Sequence, residues 1–173
     1  MKKMKKWYNK KLFIIFSVIG LAVIIVLSQI RIIIFEVRTF PEREIIIKEG
    51  VVPGEKIITS YRHSIAKTTV WEIYEVTNDM QLVQRETDFY DCVAGMPYVS
   101  FGDEQFVQED GKFKIKNMNR IINLPLYYNV GAIRENYLYI KDKKINLSSL
   151  TGDQLVTIEL KRCNLWEKYL YGW

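Results

Sequence analysis

The 173-residue chain carries 25 Lys and Arg against 20 Asp and Glu, a formal charge of +5. Lys2, Lys3, Lys5, Lys6, Lys10 and Lys11 supply six positives before any acid, leaving 19 basic and 20 acidic groups over residues 12–173. So even a balance excludes a nucleic-acid partner, which demands a basic surface shaped around phosphates.

The Lys-rich arm, 1–11, runs into an uncharged stretch over 12–30, apolar apart from Ser17, Gly20, Ser28 and Gln29. At a rise of 1.5 Å per residue, such a stretch makes a helix of about 28 Å, close to the hydrocarbon thickness of a bilayer. The sequence therefore predicts one transmembrane helix over 12–31. A secretory signal peptide would show a shorter apolar run and a small-residue cleavage site, and no Cys follows directly for lipidation, so the helix is expected to stay as a signal anchor. Six lysines before the span against the single Arg31 after it place the N-terminus in the cytoplasm and residues 32–173 outside it. Trp7 and Tyr8 fall where amphipathic rings favour the headgroup layer.

Beyond Arg31 the pattern breaks into short β-branched and aromatic segments. Strands are expected over 32–37, 43–48, 56–64, 68–77, 81–89, 112–118, 126–130, 137–141 and 155–161. Asn78-Asp79, Gly102-Asp103, Asp110-Gly111 and Gly152-Asp153 supply turns. Without helical stretches between strands, the fold class is mainly β, an antiparallel sandwich or partly closed barrel with one N-terminal transmembrane helix. In the tail, Trp166, Tyr169, Leu170 and Trp173 could form an apolar stripe on a short helix, packed on the sheet or docked to the membrane or a partner.

The most distinctive stretch is 60–72, with the only His. It reads as a strand end, a turn and the next strand, so His63 and Glu72 lie on neighbouring strands, and register decides whether they meet. Pairing Ser64 with Thr68 puts Glu72 opposite Ser60, diagonal to Arg62 and away from His63. Pairing Ser64 with Thr69 puts Tyr61, His63, Val70 and Glu72 on one face. Glu72 alternates with Val70, Tyr74 and Val76, so it shares an apolar face and needs a partner such as Arg62 or backbone amides, or else orients a ligand in a cavity. The second notable stretch, 92–98, contains Gly95 and Pro97 and should leave the sheet as a loop, either a plain corner or a pocket wall.

Cys92 and Cys163 would meet an oxidising compartment, where one disulfide could join them; buried thiols are the alternative. One His and two scattered Cys do not make a metal site, and no cofactor is expected. Cys92 or Ser64 with His63 has the residue types of a nucleophile and base but no motif that fixes their geometry, so a hydrolase ranks below a non-enzymatic reading and no catalytic residue is assigned. Asn146-Leu147-Ser148 matches a glycosylation acceptor.

Tyr61-x-His63-Ser64, then Thr68-x-Val70-x-Glu72, then Ala94-Gly95-Met96-Pro97, then Val130-Gly131 resembles, in order and spacing, the bacterial domain-of-unknown-function family eighteen-fifty, over roughly 32–161. Thr69 stands where that family often has Pro, Val93 where Gly is usual, and Asn136 is the nearest polar residue where many members carry a second His. The resemblance implies a context, because genes of this family often lie beside tripartite ATP-independent periplasmic (TRAP) transporters. It implies a membrane-anchored, non-enzymatic accessory or binding module partnered with the transporter's membrane subunit. An independent extracytoplasmic small-ligand binder, using Tyr61, His63, Ser64, Glu72, Gly95 and Pro97, is the alternative.

Overall fold

The computed structural model describes residues 2–93, 96 and 99–164, with side chains from residue 12 onward apart from that of Leu27. Gly95, Pro97 and the aromatic stripe of the tail lie outside the described residues.

Helix α1, Lys2–Gln29, contains the uncharged stretch up to its last residue but one, and every side chain from 12 to 26 is exposed, Phe13 by 73% and Phe16 by 65%. α1 ends at Gln29, before the end of the span expected over 12–31. Among the described residues, no helix is long and apolar enough to cross a membrane.

The larger compact unit, Ile33–Lys161, is built of antiparallel strands. One four-stranded sheet has the order β2 (Ile45–Val51), β1 (Arg31–Thr39), β12 (Gln154–Asn164), β9 (Leu126–Val130). An eight-stranded sheet runs β11 (Lys143–Asn146), β10 (Tyr137–Ile140), β3 (Lys56–Arg62), β4 (Thr69–Val76), β5 (Leu82–Phe89), β7 (Lys112–Lys116), β6 (Gln105–Glu109). A short strand, β8 (Arg120–Ile122), pairs with the first half of β5 while β7 pairs with its second half. The sheets do not close into a barrel.

All nine expected strands form, 126–130 with both ends as expected and the others with ends shifted by at most three residues. The sequence reading misses β6, β8 and β11. β6 is an edge strand exposed along most of its length, and β8 has three residues, so neither shows the apolar alternation by which half-buried strands are recognised. The five-residue helix α2, Leu147–Thr151, was likewise not expected. The Asn146 side chain caps it by accepting from Ser149 N, so the glycosylation-like triplet serves as a helix start.

Inward-facing side chains of both sheets form one core: Phe35 and Val37 of β1, Ile57 of β3, Leu138 and Ile140 of β10, and Val156 and Ile158 of β12. A smaller cluster joins Val70, Phe89, Met96, Ile115 and Met118. Glu36 points from the other side of β1 and is only 3% exposed, held by Arg38 at 2.7 Å, Lys161 at 2.7 Å and Lys48 at 3.7 Å. Burial pushes the Glu36 carboxyl upward, but the hydrogen bonds from Lys161 and Arg38 outweigh it and hold the group below the usual carboxylate range.

Candidate functional site

The β3–β4 hairpin takes neither register weighed from the sequence. Arg62 pairs with Thr69, Tyr61 with Val70 and Thr59 with Glu72. The turn is longer than expected because His63 closes it: His63 N donates to Thr68 O, and its ring Nδ1 accepts from Ile65 N and Ala66 N. Lys67 completes the turn with a left-handed φ of 59°. An imidazole occupied in this way is a structural acceptor at the hairpin tip.

Since paired residues share a face, Thr59, Tyr61, Val70, Glu72 and Tyr74 all point to the core side, and Arg62 points away. Arg62 donates from Nε to Lys67 O and lies 3.9 Å from Glu135. The partner expected for Glu72 is thus on the wrong side of the sheet. The carboxylate instead accepts from Thr59 Oγ1 at 3.2 Å and from Tyr74 OH at 2.9 Å. Both donate to Oε2, so Oε1 takes no hydrogen bond from the described residues.

Glu72 lines a cavity of about 370 Å³ between the two sheets. Tyr61, Tyr74 and Gln84 accompany it from the larger sheet, and Ile122 closes one side from β8. The opposing wall is Leu126, Tyr128 and Asn129 of β9, followed by Arg134 and Asn136. A bulge in β5 positions Gln84: Glu86 pairs with Ile73 and Gln84 with Tyr74, so Arg85 is the extra residue and Gln84 turns inward to donate to Thr87 Oγ1.

Asn136 holds the far wall. It is 1% exposed, its Oδ1 accepts from Gly131 N at 3.0 Å, and its Nδ2 donates to Tyr128 OH at 3.1 Å. Its own backbone N donates to Ser148 Oγ, which in turn donates to Gly131 O. Between these anchors a single 3₁₀ turn, Ala132–Arg134, folds back so that Arg134 lies across Gly131. A Cβ on Gly131 would stand 3.0 Å from both Cγ and Cδ of Arg134, so any side chain there would make Arg134 give way.

Burial raises the Glu72 carboxyl, and the bonds from Tyr74 and Thr59 only partly offset it. Burial also pushes the Tyr61 phenol up to about 12, with the Glu72 charge adding and Arg134 opposing. Tyr128 rises to about 12 through burial, against the hydrogen bond from Asn136. Tyr74 rises further, by burial and then by the charge of Glu72. The cavity phenols therefore stay protonated donors at physiological pH.

His63 and Ser64 lie in a second cavity of about 370 Å³, together with Arg62, Lys67 and Ile133, and Arg134 lines both cavities. The structure thus divides the residues grouped from the sequence, with Tyr61 and Glu72 in one hollow and His63 and Ser64 in its neighbour. Cys92 is exposed and Cys163 half-buried, both as thiols rather than joined in a bridge. Among the described residues, no group of three or more His, Cys, Asp or Glu could hold a metal ion.

Sequence reasoning gave no role to Tyr74, Gln84, Tyr128 or Arg134. Tyr74 was readable, being two residues from Glu72 on one strand. Tyr128 and Arg134 reach the site only through the pairing of β9 with β12, which local spacing does not encode.

The family model described as "Domain of unknown function (DUF1850)" matches residues 57–147. That is more than half of the chain, and every residue lining the Glu72 cavity falls within it. No curated protein and no solved structure matches the chain.

Proposed function

The chain belongs to the DUF1850 family, and from that premise we propose that it is a non-enzymatic, membrane-anchored module that binds a small ligand in the Glu72 cavity. The observation that carries this reading is the half-satisfied carboxylate: Glu72 Oε2 takes both hydroxyls, and Oε1 is left for a guest. A carboxylate present only for packing would cost stability through its desolvation, and hydrophobic residues would fill the space better. Mostly apolar hollows with a few placed polar groups are the usual form of small-molecule sites.

The membrane anchor is supported by the uncharged run over 12–30 and by the exposed apolar side chains of α1, which water solvates poorly. The lysines before the run orient it, with the domain extracytoplasmic. The partner we propose for the anchored module is the membrane subunit of a TRAP-type transporter, a reading that rests on the family resemblance.

The test is thermal stabilisation of the full-length protein in mild detergent by a library of small metabolites, repeated with Glu72→Gln. At least one compound class should raise the melting temperature of the parent, as ligands that bind only the folded state do, and the variant should lose that rise. Retained ligand shifts in a variant that melts lower would remove Glu72 from the site. Co-purification with the transporter's membrane subunit tests the partner, and its failure under mild detergent would sink that part alone.

A further inference from the structure

The Glu72 cavity contains two opposite charges that do not meet. Glu72 is served by hydroxyls alone, and no cation among the described residues pairs with it. Arg134 makes no ion pair among the described residues, and its neighbour Glu135 lies 3.9 Å from Arg62. Of the two, Glu72 is largely withdrawn from water and Arg134 is exposed, so burial alone asks for a partner only at the carboxylate. Here they are held on different walls, Glu72 on β4 and Arg134 on the turn over Gly131.

The surroundings of each charge match a different end of a guest. Around Glu72 stand the rings of Tyr61, Tyr74 and Tyr128, whose faces and oxygens suit an ammonium group. Beyond Arg134 lies the second cavity, where Arg62, His63 and Lys67 join it. That side carries Arg62, Lys67 and Arg134, with Glu135 3.9 Å from Arg62, and the positive excess draws anions. Resting on the binding reading above, we propose that the ligand is a small amino-carboxylate zwitterion, its ammonium on Glu72 and its carboxylate at Arg134.

The environment of the carboxyl fits this assignment. Burial disfavours the charged form of Glu72, and an arriving ammonium supplies a counter-charge. Binding therefore expels a proton from Glu72 wherever the carboxyl was still protonated. This proton release would not accompany a neutral guest.

The experiment measures melting temperatures of the full-length protein in detergent with three probe sets. The first is the twenty common L-amino acids together with the unbranched ω-amino acids from β-alanine to 6-aminohexanoate. The second is the same compounds N-acetylated, and the third the same compounds amidated at the carboxyl. At least one zwitterion should stabilise the protein, and its blocked forms should bind at least tenfold more weakly. Glu72→Gln should weaken the zwitterion to the level of its N-acetylated form, and Arg134→Met to the level of its amide, both in proteins that melt close to the parent. Equal binding of blocked and unblocked forms overturns the proposal. So does stabilisation only by sugars or dicarboxylates, run alongside from the metabolite library; if Glu72→Gln removes that shift, the zwitterion falls while the cavity keeps its binding role. No stabilisation by any of these compounds removes both.

Discussion

Glu36 and Glu72 are two carboxylates withdrawn from water in the same β unit, and their surroundings differ in kind. Glu36 is surrounded by Arg38, Lys48 and Lys161, which bind strands β1, β2 and β12 together on one face of the smaller sheet. Glu72 has two hydroxyls and an open oxygen. The first arrangement is complete by itself. The second is complete only with something added, and that difference separates a structural carboxylate from a binding one more reliably than burial does.

The comparison can be broken most forcefully at Glu36. Glu36→Ala removes the carboxylate shared by Arg38, Lys48 and Lys161, Lys161 keeping Glu159 at 2.9 Å, and should cost about 2–3 kcal/mol, somewhat less than a fully buried pair because the lysines remain partly solvated. Urea unfolding of the full chain measures it, and a loss below about 0.5 kcal/mol would deny the network a structural role. Asn136→Ala comes next, at roughly 2 kcal/mol, because it orphans the Gly131 amide and deprives the Tyr128 hydroxyl of its donor. It should also abolish ligand-induced shifts, since both walls of the turn depend on it. A stable variant with ligand shifts intact would show that the far wall is held some other way.

Glu72→Gln should change stability at neutral pH by no more than about 1 kcal/mol, because the amide oxygen still accepts from Thr59 and Tyr74 and no charge remains to be desolvated. pH sharpens the contrast, since the two groups titrate in opposite senses. The Glu36 carboxyl is lowered in the folded state, so its contribution is present above the unfolded value of about 4.3 and is lost as pH falls through the folded one. The Glu72 carboxyl is raised, so its contribution is present below about 4.3 and is lost as pH rises through the folded value. Melting curves across pH should therefore lose part of their acid limb in Glu36→Gln and part of their decline above about pH 4.3 in Glu72→Gln. Parallel profiles for the two variants would erase the distinction. The smallest effect is expected from Gly131→Ala, which should leave melting nearly unchanged while displacing Arg134 and weakening any ligand that needs it several-fold.

Much of this was legible in the chain itself, for reasons that vary by residue. The period-2 placement of Glu72 among Val70, Tyr74 and Val76 correctly put it on the core side, since alternation depends only on the strand and not on its neighbour. Its partner could not be read in the same way. Arg62 is near in sequence, but the six-residue turn shaped by the His63 ring sends it to the opposite face, and no pattern announces an imidazole that caps its own loop. The ion pairs of Glu36 join β1 to β12 across 125 positions and were equally invisible. Asn136 was noticed only as a stand-in for a histidine, while its actual work, tying together three segments of backbone, appears once β9, the turn and α2 are side by side.

The cavity has one wall on each sheet. A molecule seated between Glu72 and Tyr128 touches β4 and β9, which share no ladder, and so acts as a rivet through two layers rather than a plug in one. Amide exchange should then slow on binding in β12 as well, the strand that pairs with β9, although it contributes nothing to the lining.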